Sequence, residues 1–298
     1  MINALSQTVD GKLGDRVKLL VKNEEAKQSA HAAVGSIADI IELPYGDIWM
    51  RDIAPIFKSA STASVFQVNG WGGKYVYEHD DKVAEGIISI TGAAAQSNAF
   101  VLEGGAVEGD GSGLFLTTRE CLLNPNRNPN WTGEGDAEHA LATALGAQKV
   151  IWIERGLLKD HTDGHIDNIA RFVGVGHVVC QSPTGQDDPN ADILNEIYEK
   201  LSSASDQNGH PLKITRIPSP GRYVDEAGEL APASHMNFII GNATVVMPIY
   251  TDHDHPAAQE ALRILSEIFK DRRVVALPSR HILTGGGSFH CITQQQPA

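Results

Sequence analysis

Three cysteines are spread through the chain, and one of them, Cys291, stands in a setting suited to chemistry. Gly285, Gly286 and Gly287 lie just upstream of it in the run GGGSFHCITQ. Glycines let a backbone or a ligand approach closely, and a packed strand interior rarely tolerates three of them. The ordinary alternative for a cysteine is to serve as a small buried hydrophobe. That alternative suits Cys180, in the apolar run His-Val-Val-Cys, and Cys121, in Glu-Cys-Leu-Leu. No two cysteines are close in sequence, so there is no CxxC metal or redox motif.

A nucleophilic thiolate needs a proton acceptor or a positive charge beside it. His165 is the natural candidate among 12 histidines, because Asp163, Gly164 and Asp167 surround it in DGHIDN. A satisfied structural histidine would fit the same place. Carboxylates suggest the substrate. A planar guanidinium offers N–H donors in a fork that matches carboxylate oxygens pairwise. A site for it wants two acids from different segments, and Asp52 and Asp167 would suit. Each could equally be a solvated turn aspartate. Trp49, close to Asp52, could cover a cation with its ring or could simply be a core aromatic.

Two tracts imitate other chemistries. Thr251-Asp252-His253-Asp254-His255 looks like a metal tract but directly precedes a helix beginning at Pro256. Acidic residues favour helix N-termini, and no spaced partner ligands are evident. The Gly285–Gly287 run lacks the Lys-Ser/Thr of a phosphate-binding loop and opens no clear helix.

The elements that must position these residues follow from hydrophobic periodicity. Strands are expected at 17–21, 37–43, 64–68, 100–103, 150–153, 214–217, 238–248 and 274–277. Extended runs are expected at 114–123 and 165–173. Helices are expected from about Glu24, and over 79–90, 138–145, 193–201 and 256–269, the last with Pro at its start. Asp110-Gly111 signals a hairpin. The stretch 44–55, which carries Asp47, Trp49, Arg51 and Asp52, reads as irregular. Strands often come in pairs before the next helix, which departs from a strict βαβα rhythm and is compatible with radial repetition. No linker divides the chain, so residues 1–298 are expected to form a single domain.

The net charge of -13 argues against a nucleic-acid partner and suits a cationic substrate, although solubility alone would account for it. No apolar run is long enough to span a bilayer. The sparse, odd cysteine count and the absence of a signal-like N-terminal stretch point to a cytoplasmic protein.

The stretches DIWMRDIAPIF, VNGWGGKY, LEGGAVEGDGSGLFLTTRECLLNPNRNP, HTDGHIDNIARF, MNFIIGN and GGGSFHCITQQQPA, in this order, resemble the agmatine deiminase and bacterial peptidylarginine deiminase group of the guanidine-modifying superfamily. They cover most of the chain. The resemblance implies an α/β fold, a five-fold pseudosymmetric propeller of ββαβ units (pentein-like), with the site at its centre. It implies Cys291 as nucleophile, His165 as acid/base, Asp52 and Asp167 as guanidinium ligands, Glu103 as support for those aspartates and the histidine, and Trp49 against the substrate. It implies neither metal nor organic cofactor. The family usually has a segment with a Trp and a His before the first helix. This chain is read as starting after it, so one strand of the first repeat is expected to be missing, supplied from elsewhere, or lost to a misassigned start. Ala54 stands where the family usually has Gly, and Ser234-His235-Met236-Asn237 replaces the usual Ser-Tyr-x-Asn. The implied activity is deimination of agmatine through a covalent cysteine intermediate. Deimination of arginine or a peptidyl arginine, or guanidine binding without turnover, are the other readings. A papain-like hydrolase is disfavoured because the cysteine lies so close to the C-terminus. The expected partner is a small cationic guanidine, with no nucleic acid and no membrane, and a homodimer is the expected assembly.

Overall fold

Apolar, β-branched runs bounded by breakers form the middle strands of several small sheets. The computed structural model describes residues 1–253 and 255–298, so Asp254 of the Thr251–His255 tract lies outside the described residues. The first unit is β1 (Lys18–Val21), a helix (Glu24–Val34) and β2 (Asp39–Glu42), with the two strands parallel. Asn23 caps that helix by accepting a hydrogen bond from the Ala26 amide. The second unit has β3 (Ile56–Ser59) antiparallel to β4 (Thr62–Gln67), a helix (Asp80–Thr91), and β5 (Ala94–Val101) parallel to β4.

The same ββαβ order recurs three times. The third unit holds β6 (Val107–Gly109), β7 (Leu114–Thr118), a helix (Glu134–Leu145) and β8 (Lys149–Ile153). The fourth holds β9 (Ala170–Gly174), β10 (His177–Ser182), a helix (Ala191–Ser202) and β11 (Lys213–Pro218). The fifth holds β12 (Ile239–Ile240), β13 (Thr244–Ile249), a helix (Pro256–Ile268) and β14 (Arg273–Pro278). A parallel pair needs a long crossover, and each helix supplies it. The result is a five-fold pseudosymmetric α/β propeller whose first sheet has two strands where the other four have three.

Packing joins neighbouring units. One cluster unites Leu114, Leu116 and Ile151 of the third unit with Val178, Ile193 and Leu201 of the fourth. Another unites Val179 and Ile217 with Val245, Met247 and Leu265 of the fifth. β13 is buried along its whole length, which is why Thr-Val-Val-Met-Pro-Ile shows no polar alternation.

Some local expectations are corrected. The strand expected at 100–103 is the end of the longer β5, and Glu103 lies beyond it. The extended run expected over 114–123 stops at Thr118, whose hydroxyl accepts from the Cys121 amide and starts a helical turn, Arg119–Leu122. The run expected over 165–173 opens as a 3-10 turn, Ile166–Asn168, before β9. The irregular stretch around Trp49 contains a single helical turn, Met50–Ile53. Among the described residues no helix is long and apolar enough to cross a membrane.

Each unit enters its first strand, or leaves its last, through a tight turn. These turns lie at Trp49–Ile53, Glu103–Ala106, His165–Asn168, Ser234–Asn237 and Phe289–Ile292. The candidate site residues sit on them.

Candidate active site

Asp52, Glu103, His165, Asp167 and Cys291 are all buried, and contacts among their turns bring them together. The Arg51 amide donates to the Cys291 carbonyl at 2.9 Å, joining the first turn to the last. The buried Arg51 guanidinium extends that joint, donating to Gln294 Oε1 at 2.6 Å. Arg51 therefore anchors the segment that carries the cysteine and does not itself face the cleft.

Asp52 is held from two sides. Its Oδ1 accepts from the Gly105 amide and its Oδ2 from Trp71 Nε1, both at 2.9 Å. Trp71 reaches it with a left-handed backbone, φ 52°, an uncommon conformation for a large side chain. Glycines at 70, 72 and 73 let the chain turn that way around it. The His165 Nδ1 lies 3.7 Å from Asp52 Oδ1, and its Nε2 lies 4.0 Å from Glu103 Oε2. Neither ring nitrogen has a hydrogen-bond partner among the described residues. Burial opposes a charge on His165, but Asp52, Cys121 and Glu103 outweigh it and raise the pKa well above the usual imidazole range.

Glu103 Oε1 accepts from Arg127 Nε at 2.7 Å. Arg127 has no exposed side-chain surface and also donates to Asp163 Oδ2 at 2.6 Å and to the Thr162 carbonyl at 2.9 Å. It thereby ties Glu103 to the loop that leads into His165. Asp167 Oδ2 accepts from His290 Nδ1 at 2.7 Å, whereas Asp167 Oδ1 is buried without a partner among the described residues. Burial raises the Asp167 carboxyl to about 7, with His165 acting in the opposite sense.

Cys291 Sγ lies 3.6 Å from Asp167 Oδ2 and 3.0 Å from Asn237 Nδ2. Burial, then the charges of Asp167 and Asp52, push its thiol pKa well above the ordinary range. A Cβ on Gly287 would lie 3.0 Å from the Cys291 sulfur and 2.5 Å from the Trp49 ring, and one on Gly285 would lie 2.6 Å from that ring. The glycines upstream of Cys291 thus make room for Trp49 beside the sulfur. Trp49 Nε1 donates to Asp47 Oδ2 at 2.9 Å, which fixes the ring edge.

A cleft of about 210 Å³ opens onto Asp52 and Cys291 of this group, with Glu103, His165 and Asp167 outside its lining. Its lining includes Asp47, Trp49, Asp52, Tyr75, His161 and Cys291, and among the described residues no lysine or arginine. Sequence reasoning gave no individual role to Asn237, Trp71 or Arg127, although all three stand in the stretches that carry the resemblance. Cys121, read as core, is fully buried in an apolar cluster, yet its sulfur also faces His165 and Glu103.

Fold and site together define a pentein-type α/β propeller with a thiol, an imidazole and acidic side chains gathered where its units meet. The chain belongs to the Porphyromonas-type peptidyl-arginine deiminase family, whose sequence model matches residues 1–297. It is 38% identical over 286 residues to the agmatine deiminase of Ectopseudomonas mendocina (strain ymp), covering 87% of this chain and 77% of that protein. It superposes on the structure of the agmatine deiminase of Enterococcus faecalis with a TM-score of 0.87 at 29% identity, covering 94% of this chain and 82% of that one.

Proposed function

We propose that the chain hydrolyses agmatine to N-carbamoylputrescine and ammonia, with Cys291 as nucleophile and His165 as acid and base. One observation carries this reading: Asp167, whose Oδ2 lies 3.6 Å from the Cys291 sulfur, and His165, 3.7 Å from Asp52, have a buried acceptor, Oδ1, and two buried ring nitrogens without partners among the described residues. Buried polar atoms are rarely left without partners, and a guanidinium supplies the N–H donors that a carboxylate pair accepts. The names of the relatives point the same way.

The cationic substrate, entering between Asp52 and Asp167, favours loss of the Cys291 proton to solvent. The thiolate attacks the central guanidinium carbon, which the two aspartates hold in line. Protonated His165 gives its proton to one nitrogen as its bond to carbon breaks, and ammonia leaves. A cationic thiouronium remains on Cys291. Neutral His165 then takes a proton from an attacking water. The carbon–sulfur bond breaks, the thiolate is regenerated, and the remaining proton converts ammonia to ammonium. Glu103 and Arg127 hold the histidine loop.

The cleft lining favours agmatine over arginine. An arginine carboxylate would meet Asp47 with no lining lysine or arginine to pair with it, among the described residues. The test is ammonia release with agmatine, arginine and a C-terminal arginyl peptide, with Cys291→Ala as control. Release from agmatine alone, absent in Cys291→Ala, is expected. Normal turnover by Cys291→Ala would end the mechanism, and faster release from arginine would change the substrate.

A further inference from the structure

We infer that Cys121, Glu103 and His165 form a site for a soft divalent cation such as Zn²⁺, separate from the nucleophile. Their sulfur, oxygen and nitrogen atoms all lie within 4.8 Å of one another, and all three residues are buried. Thiolate, imidazole and carboxylate are the donors zinc prefers, at about 2.0–2.3 Å. Tetrahedral ligands at those lengths sit about 3.3–3.8 Å from each other, so the donors need draw together by about 1.5 Å at most.

His165, whose ring nitrogens also enter the proposed function, supplies a second observation. It is 1% exposed, and neither ring nitrogen has a hydrogen-bond partner among the described residues. Its Nε2 faces Glu103 Oε2, while Arg127 engages the other oxygen, Oε1. Glu103 therefore keeps one oxygen free for an ion. Cys121 is a free thiol in an apolar cluster, and its sulfur is turned toward His165 and Glu103. On binding, the Cys121 thiol and the His165 imidazolium each give up a proton to solvent, leaving a thiolate and a neutral imidazole as ligands. The charge balance permits a cation: Asp52 lies against His165, and Asp163 shares the charge of Arg127. Water would complete the tetrahedron.

The consequence for turnover rests on the acid/base reading of His165. An ion on that imidazole would stop proton transfer while leaving Cys291 untouched. Binding itself does not depend on that reading.

The test uses the full chain stripped of metal, with Co²⁺ as spectroscopic probe and Zn²⁺ as inhibitor. Co²⁺ should give a thiolate-to-cobalt charge-transfer band in Cys291→Ala, and the band should vanish when Cys121→Ala is added. Cys121→Ser, nearly the same size, serves if the alanine variant fails to fold. Zn²⁺ should suppress ammonia release by the wild type, and Cys121→Ala should raise the half-inhibiting concentration about tenfold or more. Absence of a cobalt band, its loss in Cys291→Ala alone, or its survival without Cys121 would each overturn the site. A cobalt band through Cys121 in a protein that releases no ammonia from any guanidine would uphold the site and reject the proposed reaction.

Discussion

Asn237 grips Cys291 twice: its Nδ2 donates to the cysteine sulfur at 3.0 Å, and its Oδ1 accepts from the cysteine amide at 3.3 Å. The same Oδ1 accepts from the His290 amide at 2.9 Å. One side chain thus fixes both the backbone and the thiol of the proposed nucleophile. Hydrogen bonds to a charged group are worth about 1.5–3 kcal/mol, or roughly tenfold to a hundredfold in rate. Asn237→Ala should lower kcat by that factor in an ammonia-release assay, with KM changing less. An unaltered kcat would remove the thiolate from the list of groups Asn237 supports.

Gly105 and its neighbour Gly104 should fail in different ways when changed to alanine. A Cβ at Gly105 would lie 2.6 Å from His165 Nδ1, 2.9 Å from Asp52 Oδ1 and 3.2 Å from Asp167 Oδ2. It would therefore occupy the space the guanidinium is proposed to fill. A Cβ at Gly104 would lie 2.2 Å from the Arg51 carbonyl oxygen, a backbone atom that cannot swing aside. Gly105→Ala should lose most of its kcat/KM with a modest fall in melting temperature, and Gly104→Ala should lose chiefly stability. Melting curves and kinetics on both variants decide this. Equal loss of stability in the two would contradict it.

The Cys291 thiol should be protonated at neutral pH in the free protein. Burial and the nearby aspartates hold its pKa above the 9.0 of an ordinary thiol. The thiolate fraction rises with pH, so alkylation of Cys291 by iodoacetamide should still be accelerating as the pH passes 9. Mass spectrometry locates the label, and Cys291→Ala gives the background. A rate that levels off below pH 8 would mean that the thiol is activated without substrate.

His235 should make the protein sensitive to acid. It is almost fully buried, with Nδ1 2.8 Å from the Pro218 carbonyl, and burial lowers its pKa to about 4. The unfolded histidine has a pKa near 6.5, so between these values the unfolded chain binds more protons than the folded one. Stability from this group is therefore complete above about pH 6.5 and falls as the pH drops toward 4. His290, also pushed down by burial, acts in the same sense. His235→Tyr, the residue usual in the family, should flatten the melting temperature between pH 4 and 7. A slope identical to wild type would assign the acid sensitivity elsewhere.

The proposed role of Arg127 gives a stability test. It is a buried cation between Glu103 and Asp163, and removing one partner of such a network leaves buried charge uncompensated, typically costing about 3–5 kcal/mol. Arg127→Leu should unfold several degrees below wild type, and Arg127→Lys should recover only part of the loss because a lysine lacks the planar fork. Full recovery by lysine would show that charge alone matters.

The sequence by itself determined the alternation of the elements, because helix and strand periods are local properties of the chain. The helices at 24–34, 80–91 and 256–268 and the hairpin at Asp110-Gly111 were legible in this way, whereas the single strand expected over 238–248 is the antiparallel pair β12 and β13. It also marked out Cys291, His165, Asp52 and Asp167, because the physical requirements of thiol and guanidinium chemistry restrict residue type and local context. Other features had no local signature. β3 is four residues long and half-buried, and its pairing with β4 defines it more than its own pattern does. Asn237 meets Cys291 across 54 positions, and Arg127 meets Glu103 across 24. Cys121 has the composition of a core residue, and only the turn begun by Thr118 brings its sulfur toward His165. The tertiary structure decided these partners because burial, orphaned hydrogen bonds and charge coupling arise only when the turns between the propeller units converge.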